Sequence, residues 1–183
     1  MAKVGVIVPV MGNKKYVLGL LNTIRSKNHE LKIIIIDNGS KDGTTEELIK
    51  LKNEGTLSIH EIHLEPIGVA AAWNRGISNA ISLNSDYILV LGSDTLIHQD
   101  CIDNMVDFYK SSPTLIMVMA TDVGWQMGVN RNSSARKPLE EYSKRLNEFK
   151  CPNNGGSSGF SCFLTGPELI DNVGWFDENF IGA

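Results

Sequence analysis

Two almost uninterrupted runs of apolar, mostly β-branched residues constrain the fold of this chain most, at Val4 to Val10 and at Leu31 to Ile36. Neither run alternates with polar residues, which is typical of strands that are covered on both faces in a parallel sheet. Further strands are predicted at Leu57 to Leu64, Tyr87 to Leu91 and Leu115 to Ala120. Because helical patterns separate these strands, we predict an α/β sandwich with a mostly parallel central sheet.

The sequence between the strands predicts amphipathic helices. In the first helix, Val17, Leu20, Leu21 and Ile24 recur at helical spacing, and Asn13 is the predicted N-cap. The other predicted helices start near 44, cover 69–81, end before 113 and lie around 139–149. Short polar turns follow the strands, and sheets of this kind bind ligands at the carboxyl ends of their strands.

Composition narrows the class of protein. The 183 residues fit a single domain over 1–183, and the regular alternation of strand and helix ends near residue 121. The 17 basic residues are scattered among 21 acidic ones, with a formal net charge of -4, so nucleic acid is not expected as a main partner. No apolar run approaches the roughly 18 residues that suggest a membrane span. Three cysteines without a CxxC pair favour a reducing, cytoplasmic location.

Two acidic residues follow predicted strands, Asp37 after the second and Asp94 after the fourth. At such positions a carboxylate either faces the ligand crevice, where it binds a base, a ribose or a divalent cation, or caps the helix that follows. Gly39 and Gly43 allow tight turns beside Asp37, which favours the ligand alternative. The GxGxxG and GxxxxGK[ST] motifs are absent, which disfavours a dinucleotide oxidoreductase and a P-loop enzyme.

Five segments of the chain, in order and with their spacing, form a known pattern: 6–10, 35–44, 68–77, 91–95 and 173–178. With them the chain resembles the family 2 glycosyltransferases of the GT-A fold, over nearly its whole length. The form of the second and fourth segments is most similar to the bacterial rhamnosyltransferase-type branch. The resemblance implies a Rossmann-like α/β/α sandwich, with 1–121 as the half that binds a nucleotide sugar and 122–183 as an incomplete acceptor half.

The resemblance also implies a role for particular residues. Asp37 matches the acid that binds the nucleotide base, and Asp94 matches the last acid of the DxD motif, which holds Mn²⁺ or Mg²⁺ on the donor diphosphate. The full nucleotide-binding set that it implies is Pro9, Val10, Met11, Asp37, Gly68, Asn74, Ser93 and Asp94. Gly92 replaces the first acid of DxD, so Asp94 is expected to be the only protein carboxylate on the metal. Trp73 stands where many relatives carry arginine.

The implied activity is transfer of a sugar from a UDP- or dTDP-sugar to a glycan or a lipid-linked acceptor, with inversion. Peripheral contact with the inner face of the membrane fits such an acceptor. In the family a pair of acids soon after the 173–178 segment supplies the general base, so that base is expected after Ala183, while Asp177 and Glu178 match structural positions. The alternative is a non-catalytic module that binds a nucleotide sugar or a glycan and has lost the base.

Overall fold

The computed structural model describes residues 1–120 and 161–179. In chain order its elements are β1 (Lys3–Val10), α1 (Lys14–Leu21), β2 (Glu30–Asn38), α2 (Thr44–Asn53), β3 (Ile59–His63), α3 (Val69–Ser82), β4 (Tyr87–Leu91), α4 (Cys101–Lys110), β5 (Met117–Met119), β6 (Cys162–Thr165) and α5 (Glu168–Val173). Strands and helices alternate through the first nine elements, as the sequence pattern predicts.

The strands form one six-stranded sheet in the order β3-β2-β1-β4-β6-β5. The four strands on one side, from β3 to β4, are parallel, and β6 runs antiparallel to both of its neighbours. This confirms the predicted α/β fold with a mostly parallel sheet. The apolar run of β1 and the residues Ile34 to Ile36 of β2 are almost fully buried, because both strands lie inside the sheet with a helix layer on each face.

Two apolar clusters lie on the two faces of the sheet. On one face, Val6 and Val8 of β1 pack with Leu20 of α1 and Ile102 of α4. On the other face, β1 contributes Ile7, which packs with residues of α3 such as Ala72, Ile77 and Ala80. Successive residues of a strand point to opposite faces, so one strand supplies both clusters. The architecture is therefore an α/β/α sandwich.

The ends of several elements differ from the sequence prediction. Helix α1 ends at Leu21, so Ile24 lies beyond it, and Asn13 precedes α1 in a left-handed conformation (φ 61°) without a side-chain cap. The fifth strand is only three residues long because its single partner is β6, over Met117–Met119. The helix predicted around 139–149 lies outside the described residues. Over 1–120 and 161–179, none of the helices combines the length and the apolar character needed to cross a membrane.

Candidate functional site

A pocket of about 280 Å³ lies where the chain reverses the direction in which it adds strands to the sheet. From β1 the chain adds β2 and β3 on one side, and it then adds β4 on the other side of β1. Pro9 and Asn13 line the pocket from the end of β1, Val69 and Trp73 line it from α3, and residues 91–94 line it from the end of β4. This is the topological switch point at which open α/β sheets bind ligands.

Asp94 lies exposed at this pocket, in a turn that continues β4. The turn is closed by a hydrogen bond of 3.0 Å from the Thr95 N–H to the Gly92 carbonyl, and the Gly92 N–H donates to the Ser161 carbonyl at 2.8 Å. The Asp94 carboxylate makes no hydrogen bond and no ion pair with any residue of the described segments. Its oxygens are therefore available to a ligand in the pocket.

The residues at this pocket fit a divalent cation only in part. A hard cation such as Mg²⁺ or Mn²⁺ prefers about six oxygen ligands. Over residues 1–120 and 161–179 no group of three His, Cys, Asp or Glu side chains is placed to hold a metal ion. Asp94 is the acidic residue that lines the pocket, and the absence of a side chain at Gly92 leaves it without a second carboxylate. Among the described residues, Asp94 alone would thus supply a carboxylate to a cation in this pocket.

Asp37 is placed differently from Asp94, because it is fully buried at the end of β2. One carboxylate oxygen accepts a hydrogen bond from the Ser40 N–H at 3.0 Å, and the other accepts one from the Thr45 hydroxyl at 2.5 Å. Burial opposes ionisation, but the neighbouring His60 and the bonds from Ser40 and Thr45 outweigh it and lower the pKa of Asp37 to about 2. The carboxylate therefore organises the turn before α2, although no side chain caps the N-terminus of that helix.

His60 of β3 is the buried neighbour of Asp37, with 3.7 Å between its Nε2 and the nearer carboxylate oxygen. From the sequence His60 is only a surface or core histidine, with no metal site expected. The signal that could have linked the two residues is the parallel register of β2 and β3, in which Asp37 pairs with Ile62. That register becomes visible only once the strands have been aligned in space.

The turn after β1 is tied to the turn after β2. The Gly12 N–H donates to the Ser40 hydroxyl at 2.7 Å, and the backbone of Gly12 is left-handed (φ 69°), a conformation that glycine adopts without strain. Of the residues predicted to line the base and ribose, Pro9 lines the pocket and Met11 is exposed near it. Val10 is buried in the core, so its side chain does not reach the pocket.

Gly68 and Asn74 frame the first turns of α3. Gly68 precedes the helix with a φ of 88°. Asn74 is buried, and its side chain binds the chain near residue 176: it accepts from the Phe176 N–H at 3.0 Å and donates to the Phe176 carbonyl and to Glu178 Oε1, both at 2.9 Å. The structure thus directs Asn74 to the 176–178 segment, while the neighbouring Trp73 faces the pocket.

Trp73 lines the pocket, but the predicted nucleotide-binding set did not include it. Its ring meets Phe163 of β6 edge to face, with 5.7 Å between ring centres, and meets Phe176 in the same way at 5.0 Å. Helical spacing could have found it, because residues four apart share a helix face and Val69 begins α3. Pro9, Ser93 and Asp94 are the members of the predicted set that the structure brings together in this pocket.

A doubly wound sheet with a pocket at its topological switch point defines the class of open α/β proteins. The pattern of Glycosyl transferase family 2 matches residues 5–171, and the chain belongs to that family. It is 34% identical over 96 residues to the poly-beta-1,6-N-acetyl-D-glucosamine synthase of Staphylococcus aureus, covering 52% of this chain and 22% of that protein. It is 29% identical over 111 residues to the minor teichoic acid biosynthesis protein GgaA of Bacillus subtilis, covering 58% and 25%.

The fold is shared with solved glycosyltransferases of the GT-A type. The mannosyltransferase PcManGT from Pyrobaculum calidifontis, solved with GDP-Man and Mn²⁺, superposes with a TM-score of 0.68 at 19% identity, over 97% of this chain and 48% of that one. S. aureus TarS 1-349 superposes with a TM-score of 0.65 at 18% identity, over 100% and 52%. The chain thus spans about a quarter of its curated relatives and about half of these structures.

Proposed function

We propose that this chain carries the donor site of a metal-dependent glycosyltransferase, which moves a hexose or deoxyhexose from a UDP- or dTDP-sugar to a hydroxyl of a glycan or lipid-linked acceptor with inversion. The observation that carries the proposal is the exposed carboxylate of Asp94 in the pocket at the switch point of the sheet. Family membership supports the transferase chemistry, and the presence of GDP-Man and Mn²⁺ in PcManGT supports a nucleotide sugar and a divalent cation.

The predicted nucleotide-binding residues divide into two groups in this proposal. Pro9, Ser93 and Asp94 contact the donor directly, because they line the pocket. Asp37 does not line the pocket; its buried carboxylate holds the turn after β2, and its contact with the nucleotide base stays our proposal. The remaining members shape the backbone around the pocket: Val10, Met11, Gly68 and Asn74. The 1–121 half is thereby the donor half, and the rhamnosyltransferase-type branch stays our proposal for the sugar class.

Asp94 is the residue that would hold Mn²⁺ or Mg²⁺. When bound, the cation neutralises the charge that develops on the leaving nucleoside diphosphate. A single protein carboxylate holds such an ion weakly, and the diphosphate oxygens of the donor complete its shell. Metal and nucleoside diphosphate should therefore bind cooperatively.

The test is calorimetric titration with UDP, dTDP and GDP, each with and without Mn²⁺. The parent chain should bind UDP or dTDP at least about tenfold more tightly with Mn²⁺, and Asp94→Asn should lose most of that gain because a charged ligand contributes about 1.5 to 3 kcal/mol. Asp107→Asn is the matched control, because Asp107 is an exposed acid on α4 away from the pocket. Failure of the parent chain to bind any of the three nucleotides would overturn the proposal.

The second candidate function is a non-catalytic module that binds a nucleotide sugar or a glycan. The contacts of the last described acids, Asp177 and Glu178, are the reason to test it. Glu178 accepts a hydrogen bond from Asn74, and Asp177 Oδ1 accepts two from Asn179, both at 2.9 Å. Each bond engages only one oxygen of its carboxylate, but neither residue is among the described residues that line the pocket, where a base for the acceptor hydroxyl is needed. Transfer of radiolabelled sugar by this chain would support the enzyme, whereas nucleotide binding without transfer would support the module.

We propose a cytoplasmic location for the protein, with peripheral contact to the inner face of the membrane when its acceptor is lipid-linked. The two cysteines in the described residues, Cys101 and Cys162, are free thiols, which fits a reducing compartment.

A further inference from the structure

One side of the pocket is an aromatic wall, formed by the indole of Trp73 and held by two further aromatic rings. Trp73 lies one helical turn after Val69, so the two side chains share the face of α3 that lines the pocket. Behind the indole, Phe163 is fully buried in β6 and meets it at an interplanar angle of 82°. Phe176 meets it at 67°, and the backbone of Phe176 is held on both sides by the Asn74 side chain.

This bracing keeps the indole from turning, because both neighbouring rings are themselves anchored. A fixed aromatic wall binds a flat partner with little loss of side-chain entropy. The indole is partly exposed, and the pocket is the space that it lines. The indole of Trp73 therefore forms part of the binding surface, in addition to its packing against the core.

The other lining residues favour an uncharged, planar ring against this wall. Pro9 and Val69 supply apolar surface, while Asn13 and Ser93 supply polar groups for the edge of a ring. Asp94 is the charged member among the described lining residues, and it is acidic. A bare diphosphate would thus meet only a like charge here, and its neutralisation must come from the metal ion.

We propose that Trp73 is a nucleoside-binding residue of the donor pocket, whose indole stacks on the flat face of the nucleobase. The inference rests on the proposed function and adds to it a division of labour: Trp73 sets the affinity for the nucleoside, and Asp94 sets the dependence on metal. Stacking of a base on an aromatic side chain tolerates different bases, so the donor base is recognised mainly as a planar ring.

The first test is titration of the parent chain, Trp73→Phe, Trp73→Ala and Trp175→Ala with uridine and with UDP plus Mn²⁺. Trp73→Ala should weaken both ligands about tenfold or more, while Trp73→Phe stays within about threefold of the parent chain. Trp175→Ala is the matched control, since Trp175 is half exposed and does not line the pocket, and it should leave both affinities unchanged. Asp94→Asn should weaken UDP with Mn²⁺ and leave uridine unchanged.

A second measurement tests the proposal without requiring that the Trp73→Ala variant folds. The chain has three tryptophans, so the double variant Trp125→Phe and Trp175→Phe leaves Trp73 as its only indole. Uridine should quench the fluorescence of this variant at saturation, as expected for a base stacked on the ring. Unchanged fluorescence under saturating UDP would overturn the proposal.

The outcomes separate this inference from the proposed function. If the parent chain binds UDP and Trp73→Ala binds it equally well, the stacking role is wrong and the donor site stands. If Trp73→Ala weakens UDP-sugar but not UDP or uridine, the indole binds the sugar and the nucleobase assignment is overturned. If the parent chain binds neither uridine nor any nucleotide, both proposals fail.

Discussion

At the scale of single residues, two acids with the same kind of position have different roles. Asp94 is exposed in the pocket, whereas Asp37 is buried with both oxygens hydrogen-bonded. Both follow a parallel strand, and the difference arises from the turn that comes next. The turn after Asp37 folds back so that the Ser40 N–H and the Thr45 hydroxyl reach its carboxylate.

The buried carboxylate of Asp37 predicts a pH-dependent stability. Its pKa is lowered to about 2 in the folded chain against 3.8 for an unperturbed aspartate. A lowered pKa stabilises the fold above pH 3.8, and the contribution is lost as the pH falls through about 2. Integration over that shift gives about 2 kcal/mol at neutral pH.

Asp37→Asn should therefore lower the free energy of unfolding by about 2 kcal/mol at pH 7 and by much less at pH 2. Urea unfolding at a series of pH values measures this difference. Asp107→Asn, at an exposed position, controls for the general effect of removing one acid. A constant difference between Asp37→Asn and the parent chain over the whole pH range would contradict the prediction.

The sequence could predict which residues follow the strands, but not which of them stay accessible. Pro9, Ser93 and Asp94 were found by the family pattern, and they line the pocket. Trp73 and His60 were missed because their contacts depend on packing between elements. The indole meets β6, about 90 residues later in the chain, and the imidazole meets Asp37 on the neighbouring strand. Accessibility of this kind is decided by tertiary contacts that local patterns do not contain.

At the scale of elements, the close approach of α3 to β1 controls the layer behind the pocket. Gly76 of α3 lies against Ile7 of β1, and a Cβ atom at that position would overlap Ile7 Cγ2. The glycine is therefore required by packing, since its φ is not in the left-handed region. The resemblance to the family marks the position, and the structure supplies the steric reason.

Gly76→Ala should destabilise the fold by about 1 to 3 kcal/mol, because an added methyl group in a packed core forces side chains or backbone to shift. Alanine favours helix over glycine by about 1 kcal/mol, so a destabilisation means that the clash outweighs the helix propensity. Ser78→Ala on the exposed face of α3 is the control and should change the stability by no more than about 0.5 kcal/mol. Chemical denaturation of the three proteins measures both effects, and a Gly76→Ala protein as stable as the parent would contradict the packing argument.

The hydrogen bonds of Asn74 should be what holds the 176–178 segment on α3. Asn74→Ala removes three of them and leaves the Phe176 N–H without that partner, which should cost about 1 to 3 kcal/mol. The segment should then become a substrate for chymotrypsin at Phe176, and timed proteolysis with mass spectrometry detects the cut. Glu178→Gln keeps an acceptor for Asn74, so it should remain as resistant as the parent chain. Equal cleavage rates in all three proteins would show that other contacts hold the segment.

The edge formed by β5 and β6 is the part of the fold that the sequence predicted least well. A strand was predicted at Leu115 to Ala120, but not that a later strand, β6, lies between it and β4 and runs antiparallel to both. Strand order is a non-local property, and a three-residue strand such as β5 carries little periodic signal. The parallel strands β1 to β4 were predictable because each alternates with a helix of its own.

At the scale of the whole molecule, one sheet joins the two predicted halves of the chain. Because β6 pairs with β4 on one side and β5 on the other, residues of the acceptor half complete the sheet of the donor half. The described residues 1–120 and 161–179 therefore share one structure. The single domain over 1–183, with its two halves, stays a prediction.

Unfolding should accordingly occur as a single cooperative transition. The far-UV and near-UV circular dichroism signals should give the same midpoint, and the calorimetric enthalpy should equal the van 't Hoff enthalpy. UDP with Mn²⁺ should raise that one midpoint, because a ligand that binds only the folded state stabilises all of it. Two resolved transitions, with only the first shifted by the nucleotide, would instead divide the chain into independent halves.

The central place of β1 in the sheet has a consequence for synthesis of the protein. Val4 of β1 pairs with Tyr87 of β4, so its partner is translated 87 - 4 = 83 residues later. At roughly 5–20 residues per second, β1 and β2 wait several seconds on the ribosome before β4 emerges. During that interval the apolar edge of β1 is open to other nascent chains. Pairing of β1 with β2 alone therefore leaves one edge of β1 that only the later strand β4 covers.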